Sequence, residues 1–370
     1  MTIFIYINQL PIVHKKNLFK PFERQIFFTN NRGLNCKNSY RPSEYMFVKL
    51  SSYTEQPSFI LSFIYFMAYK SYQSAMNIFL WLVNSFWLRG KLGYALVLHS
   101  KNDTFMKLFY EEIVKPLFNA DYCEQIDNES LDKKSLSVKL DKKVIYNFHN
   151  ITTPSIVGEP AKEFTKRLIY KDDLKINNKT VTTQANILIT STTSYIPLIG
   201  QDVQSVFVDV ESNLDDLCKI MKIPKDPYVV MSYIKDDLDN FARILRRIDL
   251  SKIDTFKRES LYNSYDHILD GDISLLEVFY RAIKNKDIVF FILLKTKAPK
   301  LYQILVEDFK HNRVNRKNLI EYFIALFGEE IYTRKNYKNF IADLRNLSST
   351  EEPFENEKTF QIHTQVYYRL

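Results

Sequence analysis

The informative side chains in this sequence are cations, because few residues are spaced for catalysis or metal binding. The six histidines are scattered, and none belongs to an H-E-x-x-H motif. Cys36, Cys123 and Cys218 lie far apart with no C-x-x-C between them. That excludes a zinc finger or ribbon and reads as structural thiols of a reducing compartment. A phosphate-binding loop needs glycines, so that backbone N–H groups can wrap the oxygens, with a lysine beside them. Of the seven glycines only Gly90 is followed by a lysine, and Gly90-Lys91 precedes an apolar run instead of following one. No catalytic residue and no metal ligand is assigned on these patterns. Two cationic groups remain. Lys175 and Lys179 bracket Asn177-Asn178, a pair suited to the two-residue turn of a hairpin. Arg313, Arg316, Lys317, Arg334, Lys335 and Lys338 crowd one later stretch, partly balanced by Glu329 and Glu330. Such groups suit phosphate contact and equally suit a solvated surface.

The elements that must position these groups come from periodicity. The chain has 370 residues, 46% of them hydrophobic, which supports two or three compact units with full cores. Its net charge of +8 favours a polyanionic partner, either nucleic acid or an acidic membrane surface. Membrane insertion is not expected. The apolar runs Phe59 to Tyr69 and Ile78 to Leu88 are interrupted by Lys70, Gln73 and Asn77, and neither reaches the ~20 residues that a bilayer demands. Both read as buried helices. No signal peptide is read, since the apolar start lacks a preceding cationic stretch and a small-residue cleavage site. Ile3 to Ile7 is strand-like, and Asn30 to Pro42 reads as loop.

Beyond residue 90 the pattern changes. Tyr94 to Leu98, Val144 to Phe148, Ala185 to Thr190 and Ser205 to Val210 read as short buried strands. Between the first two, Asp103 to Phe118 reads as a helix with Asp103 as N-cap and Phe105, Leu108, Phe109 and Ile113 on one face. Strands separated by helices imply an α/β sandwich with a mainly parallel sheet, whose chemistry sits at the carboxyl ends of the strands. Asp236 to Ile248 opens a helical region, and Thr359 to Tyr368 alternates like a closing strand. The expected organisation is an N-terminal segment with a helical collar (1–89), an α/β core (90–225), a helical lid or linker (226–299) and a winged-helix-like unit (300–370).

The segment from Glu163 to Lys179, followed by Ala185 to Thr192, resembles superfamily-3 helicases attached to phage and poxvirus-type primases. There a helix leads into a hairpin with a basic tip, then into a strand ending in Thr-Ser-Asn. Lys143 to His149 falls where that family carries its Walker B strand, and Tyr94 to His99 with Thr104 to Met106 falls where it carries Walker A. Asp237 to Leu245 is similar to the family's helix after the core. The ordered set covers residues 90–250, and the nearest likeness is to the C-terminal halves of primase–polymerases from deep-sea vent phages.

The resemblance implies a hexamer-forming, AAA+-like α/β core with a helical collar, and it implies DNA as partner. It also locates a nucleotide site that has lost its chemistry. Lys101 and Thr104 stand for the phosphate lysine and the magnesium hydroxyl, but the turn His99 to Thr104 holds no glycine. Asn147, His149 and Asn150 stand where metal-binding carboxylates belong, and neutral side chains cannot balance a metal's charge. Thr192 replaces the sensor asparagine, and Gln201 to Ser205 holds no trans-acting arginine, while Arg243, Arg246 and Arg247 read as a solvated helix face. Lys101, Thr104, Asn147, Asn150 and Thr192 therefore form a vestigial ATP/magnesium site, and no cofactor is expected. Lys175, Asn177, Asn178 and Lys179 form the family's channel hairpin, which touches DNA backbone. The expected function is that of a ring-forming, DNA-binding replication module without NTP hydrolysis. It would act in the cytoplasm of a bacterial host, with single- or double-stranded DNA, copies of itself and a primase or polymerase domain in cis or in trans, and no membrane. Two other readings stay open: an active NTP-driven helicase with a non-standard nucleotide site, and a winged-helix DNA-binding regulator built on residues 300–370.

Overall fold

The computed structural model describes residues 16–21, 27–29, 35–48, 57–87, 90–176, 178–200, 202–211, 213–248, 269–270, 274–288, 290–329, 331–350, 360–362 and 365–369. The strand-like run at Ile3 to Ile7 lies outside them.

The centre of the fold is a parallel five-stranded sheet: β1 (Ala95–His99), β2 (Cys123–Ile126), β3 (Ile145–His149), β4 (Asn186–Ser191) and β5 (Ser205–Asp209), in the order β5-β1-β4-β3-β2. Parallel strands are covered on both faces, so they read as continuous apolar runs, and four of the five were legible that way to within a residue. The α/β class with a parallel sheet is the one expected. β2 was not foreseen: at the sheet's edge, half-buried Glu124 and Gln125 stand between buried Cys123 and Ile126, so its four residues show neither an apolar run nor an alternation.

The period of two divides the sheet between two cores. Leu96, Leu98, Leu188, Val206 and Val208 face one layer, and Ala95, Val97, Tyr146, Phe148, Ile187 and Ile189 face the other. The first layer is built from α1 (Phe59–Met67), α2 (Tyr72–Phe86), α3 and the long α7 (Pro227–Arg247), with the short α6 (Asp215–Met221) beside them. Here α3 is one rod made of Thr104–Leu108, a π-helical Phe109–Val114 and Lys115–Phe118. The two apolar helices expected as a collar thus share a single core with the sheet. Among the described residues no helix is long and apolar enough to cross a membrane. The second layer is α4 (Lys133–Lys139), α5 (Ala161–Tyr170) and a hairpin of Asp173–Ile176 with Lys179–Thr182.

Three local details depart from the expectations. Asn35–Asn38, placed in a loop, is a strand between Lys16–Leu18 and Phe27–Thr29. Helix α7 begins well before Asp236, because Asp226 caps the Tyr228 N–H and Pro227 occupies the first turn. Asp103 precedes α3 but makes no capping bond; the Asn102 side chain accepts from the Thr104 N–H instead.

The C-terminal unit has its own core around Phe279, Phe291, Phe323 and Phe340. It contains α8 (Leu275–Lys284), α9 (Ile292–Lys297), α10 (Pro299–Lys310), α11 (Asn318–Phe327) and α12 (Tyr337–Thr350). The strand Arg313–Asn315 pairs with Gln365–Arg369, which pairs with Phe360–Ile362, all antiparallel. From α10 onwards the order is helix, strand, helix, helix, strand, strand, a winged-helix arrangement; the closing strand expected at Thr359 to Tyr368 is a pair of strands. Tyr195, just after β4, inserts into this core against Phe290 and joins the two parts.

One carboxylate fastens the first helical layer. Asp237 on α7 accepts from the Ser58 hydroxyl at 2.6 Å and from the Ile60 N–H at 2.8 Å, and so caps the N-terminus of α1 from outside. Ser58 in turn caps Leu61. Asp237→Ala removes both bonds, and a lost cap of this kind costs ~1–2 kcal/mol. A thermal melt followed by circular dichroism is expected to fall by several degrees with the helix content of the folded state unchanged.

Candidate functional site

The three strand ends that the sequence singled out are neighbours, because β4 lies between β1 and β3. Their carboxyl ends carry the turn His99 to Thr104, the pair His149-Asn150 and the segment Thr190 to Thr192.

At the end of β3, Asn150 turns into a left-handed conformation (φ 51°), which asparagine tolerates better than most residues. Its N–H donates to the Thr190 carbonyl at 2.8 Å. Its side-chain oxygen accepts from the Thr192 N–H at 2.7 Å and the Thr192 hydroxyl at 3.1 Å. Since a backbone N–H can only donate, the oxygen of the Asn150 amide must face Thr192 and its NH2 must face away. That NH2 lies 3.1 Å from His149 Nε2, so Nε2 accepts. A histidine whose Nε2 accepts carries its proton on Nδ1, and Nδ1 lies 3.0 Å from the Thr190 hydroxyl. Thr190 then donates to Asn147 Oδ1 at 3.0 Å. Asn147 and Thr190 are 2% and 1% exposed, so that end of the chain is buried, while His149, Asn150 and Thr192 are half-buried. Its donors and acceptors match one another only when His149 is neutral. Burial also lowers the His149 pKa, while Asp103 and Asp127 pull the other way.

The β1 turn is closed by its own residues. The Ser100 N–H donates to the Ser191 carbonyl at 3.0 Å, and the Ser100 hydroxyl accepts from the Asn102 N–H. Lys101 is exposed and Thr104 half-buried. Asn147, Asn150 and Thr192 thus meet in one network, while Lys101 and Thr104 stay outside it. Arg243 pairs with Asp239, and Arg246 donates to the Val48 carbonyl, so these two are tied within the fold. Gln201 lies outside the described residues.

A magnesium nucleotide does not fit this set. The end of β3 offers a buried amide already bonded to Thr190, and the turn after β1 has no glycine. His149 has no lone pair left for a water. Among the described residues no three His, Cys, Asp or Glu side chains are grouped to hold a metal. The Gly90-Lys91 pair serves the packing of α5, where Lys91 Nζ donates to the Leu168 and Lys171 carbonyls at the helix end. Burial lowers its pKa to about 8.

One cavity of about 140 Å³ lies between α3 and strands β2 to β4, lined by Asp103, Met106, Lys107, Tyr110, Glu111, Gln125, Asn147, His149 and Thr190. Tyr110 has no hydrogen-bond partner for its hydroxyl among the described residues, and burial pushes that phenol well above its usual range. Nothing in the sequence flagged the α3 side of this cavity, because Lys107 and Glu111 look like ordinary helix-surface charges.

The structure describes the hairpin except for Asn177. Asn178 is left-handed (φ 62°), as a tight turn requires. The register pairs Lys175 with Thr180 and Lys179 with Ile176, so the two exposed lysines flank the tip on opposite faces of the ladder. Buried Leu174, Ile176 and Val181 anchor the hairpin in the second core.

No protein-family model matches the chain, and no curated protein matches it. Solved structures do. The fold is similar to that of the NrS-1 C-terminal region. An apo structure of its residues 305–718 aligns with a TM-score of 0.53 at 16% identity, over 96% of this chain and 84% of that one. A second apo structure gives 0.53 at 15% identity over 95% and 84%, and a third 0.51 at 15% over 96% and 84%. The likeness spans both the α/β core and the C-terminal unit, and at this identity it is a likeness of fold.

The neutral His149 has a consequence for acid stability. As pH falls through the ordinary histidine value of ~6.5, the unfolded chain takes up a proton that the folded chain resists, so stability must fall with pH there, by at most ~1.4 kcal/mol per pH unit for one group. Denaturant unfolding between pH 5 and 7.5 is expected to show this slope in the natural chain and a shallower one in His149→Gln. Equal slopes would mean that His149 is not held neutral.

Proposed function

We propose that this chain is a DNA-replication module: a helicase-like α/β core that assembles into a ring, grips DNA through its basic hairpin and does not hydrolyse NTP. The observation that carries the reading is the closed polar chain from Asn150 to Asn147, standing where the superfamily-3 pattern requires a metal carboxylate and a positioned water. Without that carboxylate and the phosphate loop, little of the electrostatic catalysis of phosphoryl transfer remains. The resemblance in motif order across residues 90–250 and the parallel sheet at its centre support the helicase-like part. The hairpin supports the DNA part, since Lys175 and Lys179 are exposed on both sides of its tip. The four-unit division at residues 89, 225 and 299 rests on the periodicity of the sequence, and the six-subunit ring and the primase or polymerase partner rest on the resemblance alone.

In a ring each subunit brings its hairpin to one narrow channel, so the charges act together. Single-stranded DNA affinity, followed by fluorescence anisotropy, is expected to fall steeply with salt. Lys175→Ala/Lys179→Ala should weaken it alike for all sequences and flatten the salt slope by ~0.7 for each phosphate no longer neutralised. The fold should stay intact, because exposed lysines contribute little to stability. Unchanged affinity and slope would remove the hairpin from the DNA path, and a monomer at micromolar concentration, with and without DNA, would remove the ring.

A further inference from the structure

The basic residues from Arg313 to Lys338 differ in a way that the sequence alone could not show: three arginines are engaged within the unit, Lys317 is exposed just before α11, and Lys335 and Lys338 are exposed at α12. Arg334 is bound twice by Glu321 and again by Glu329. Arg313 bonds to Asp308 and lies over the Tyr367 ring at 4.7 Å, and Arg316 lies over Tyr368 at 5.9 Å. These three arginines hold the unit together.

The last group lies on and just before α12. This helix buries Phe340, Ile341 and Leu344 in the C-terminal core. Its opposite face is exposed: Lys338, Asn339, Ala342, Arg345 and Asn346, continued backwards by Lys335 and Asn336 in the approach turn. Spacings of three and four place these residues on one stripe. The stripe carries three cations and no acid. The one acid on the helix, Asp343, is half-buried and accepts from the Tyr332 hydroxyl at 2.8 Å.

From this we infer that α12 is a recognition helix for double-stranded DNA, a second nucleic-acid site separate from the hairpin. The unit has the winged-helix order, with Phe323 of α11 packed against Phe340 of α12 at 5.5 Å and the strand pair following α12 in the chain, and in helix-turn-helix proteins the second helix enters the major groove. The major groove of B-form DNA admits a helix, whereas the major groove of A-form RNA is too narrow. Lys335 and Lys338, at the start of the helix, meet phosphates. Asn339 and Ala342, one turn apart in the middle of the stripe, face the base edges. An asparagine amide matches the N6 and N7 edge of adenine, and an alanine methyl packs against the thymine methyl. The site therefore takes duplex DNA and prefers an A·T pair at its centre.

The test uses the full chain with labelled duplex DNA of A·T-rich and G·C-rich sequence, duplex RNA and single-stranded DNA, over a salt series. Three results are expected: tighter binding to the A·T-rich duplex, binding to duplex RNA at least tenfold weaker, and a Lys335→Ala/Lys338→Ala variant that loses affinity for both DNA duplexes. In that variant the salt slope should fall by ~0.9 per phosphate, with an unchanged melt and unchanged single-strand binding. Asn339→Ala should narrow the A·T preference about tenfold and leave the salt slope alone. Duplex affinity and slope unchanged in the double-lysine variant would overturn the site, as would equal binding to duplex RNA. The single-strand arm reads the hairpin independently, so failure of one site is not mistaken for failure of the other.

Discussion

A parallel strand buried on both faces cannot leave its polar ends to water. All six residues of β4 are buried, and it is hydrogen-bonded on one side to β1 and on the other to β3. Any polar side chain it carries must find a partner inside the protein, since an unpartnered buried group costs ~1–3 kcal/mol. At its start, Asn186 accepts from the Leu92 N–H and donates to the Ser85 hydroxyl, fixing where β1 and α2 begin and end. At its finish, Thr190 donates to Asn147 and accepts from His149, while the Ser191 hydroxyl lies against Thr193. The strand ends are thus sealed by neutral groups from adjacent elements.

On the proposed reading, this network is what lets the α/β core stand without nucleotide chemistry. In a nucleotide-hydrolysing site the polar groups at these strand ends are held for a ligand. Here each of Asn147, His149, Thr190, Asn150 and Thr192 is bonded to another, and the sheet is held by apolar contacts on both faces. The exposed lysines at the hairpin tip and on α12 lie away from this network.

The sheet was legible because its physics is local. Burial on both faces writes four strands as apolar runs, and only the edge strand Cys123–Ile126, half polar and four residues long, escaped. The helix α3 was legible from its apolar face, but not its cap: Asp103 and Asn102 are equally good on paper, and only the turn geometry selects Asn102. The start of α7 is written in the sequence by Asp226-Pro227 and by the buried spacing Val230, Ile234, Leu238, ahead of the Asp236 expected. The site residues show a sharper limit. That Asn147, Asn150 and Thr192 belong together followed from motif order, yet the Asn150–Thr192 bond joins residues 42 apart, and its sense depends on β3 lying in register with β4. The neutral tautomer of His149 follows from that long-range bond, which turns the Asn150 NH2 towards the neighbouring Nε2. Likewise the stretch from Arg313 to Lys338 reads as one basic cluster, and only tertiary pairing separates the arginines that bind the unit from the lysines left at its surface.

If the bonded strand ends exclude a nucleotide, magnesium-ATP has no site on the folded chain. The direct measurement is the thermal unfolding of the full chain across a titration of magnesium-ATP into the millimolar range. A ligand at a hundred times its Kd stabilises the folded state by ~2.7 kcal/mol, a shift of several degrees. The sealed network predicts no shift at any concentration. A saturable rise in melting temperature that disappears in Lys101→Ala would contradict it, and would restore a working nucleotide site at the turn after β1.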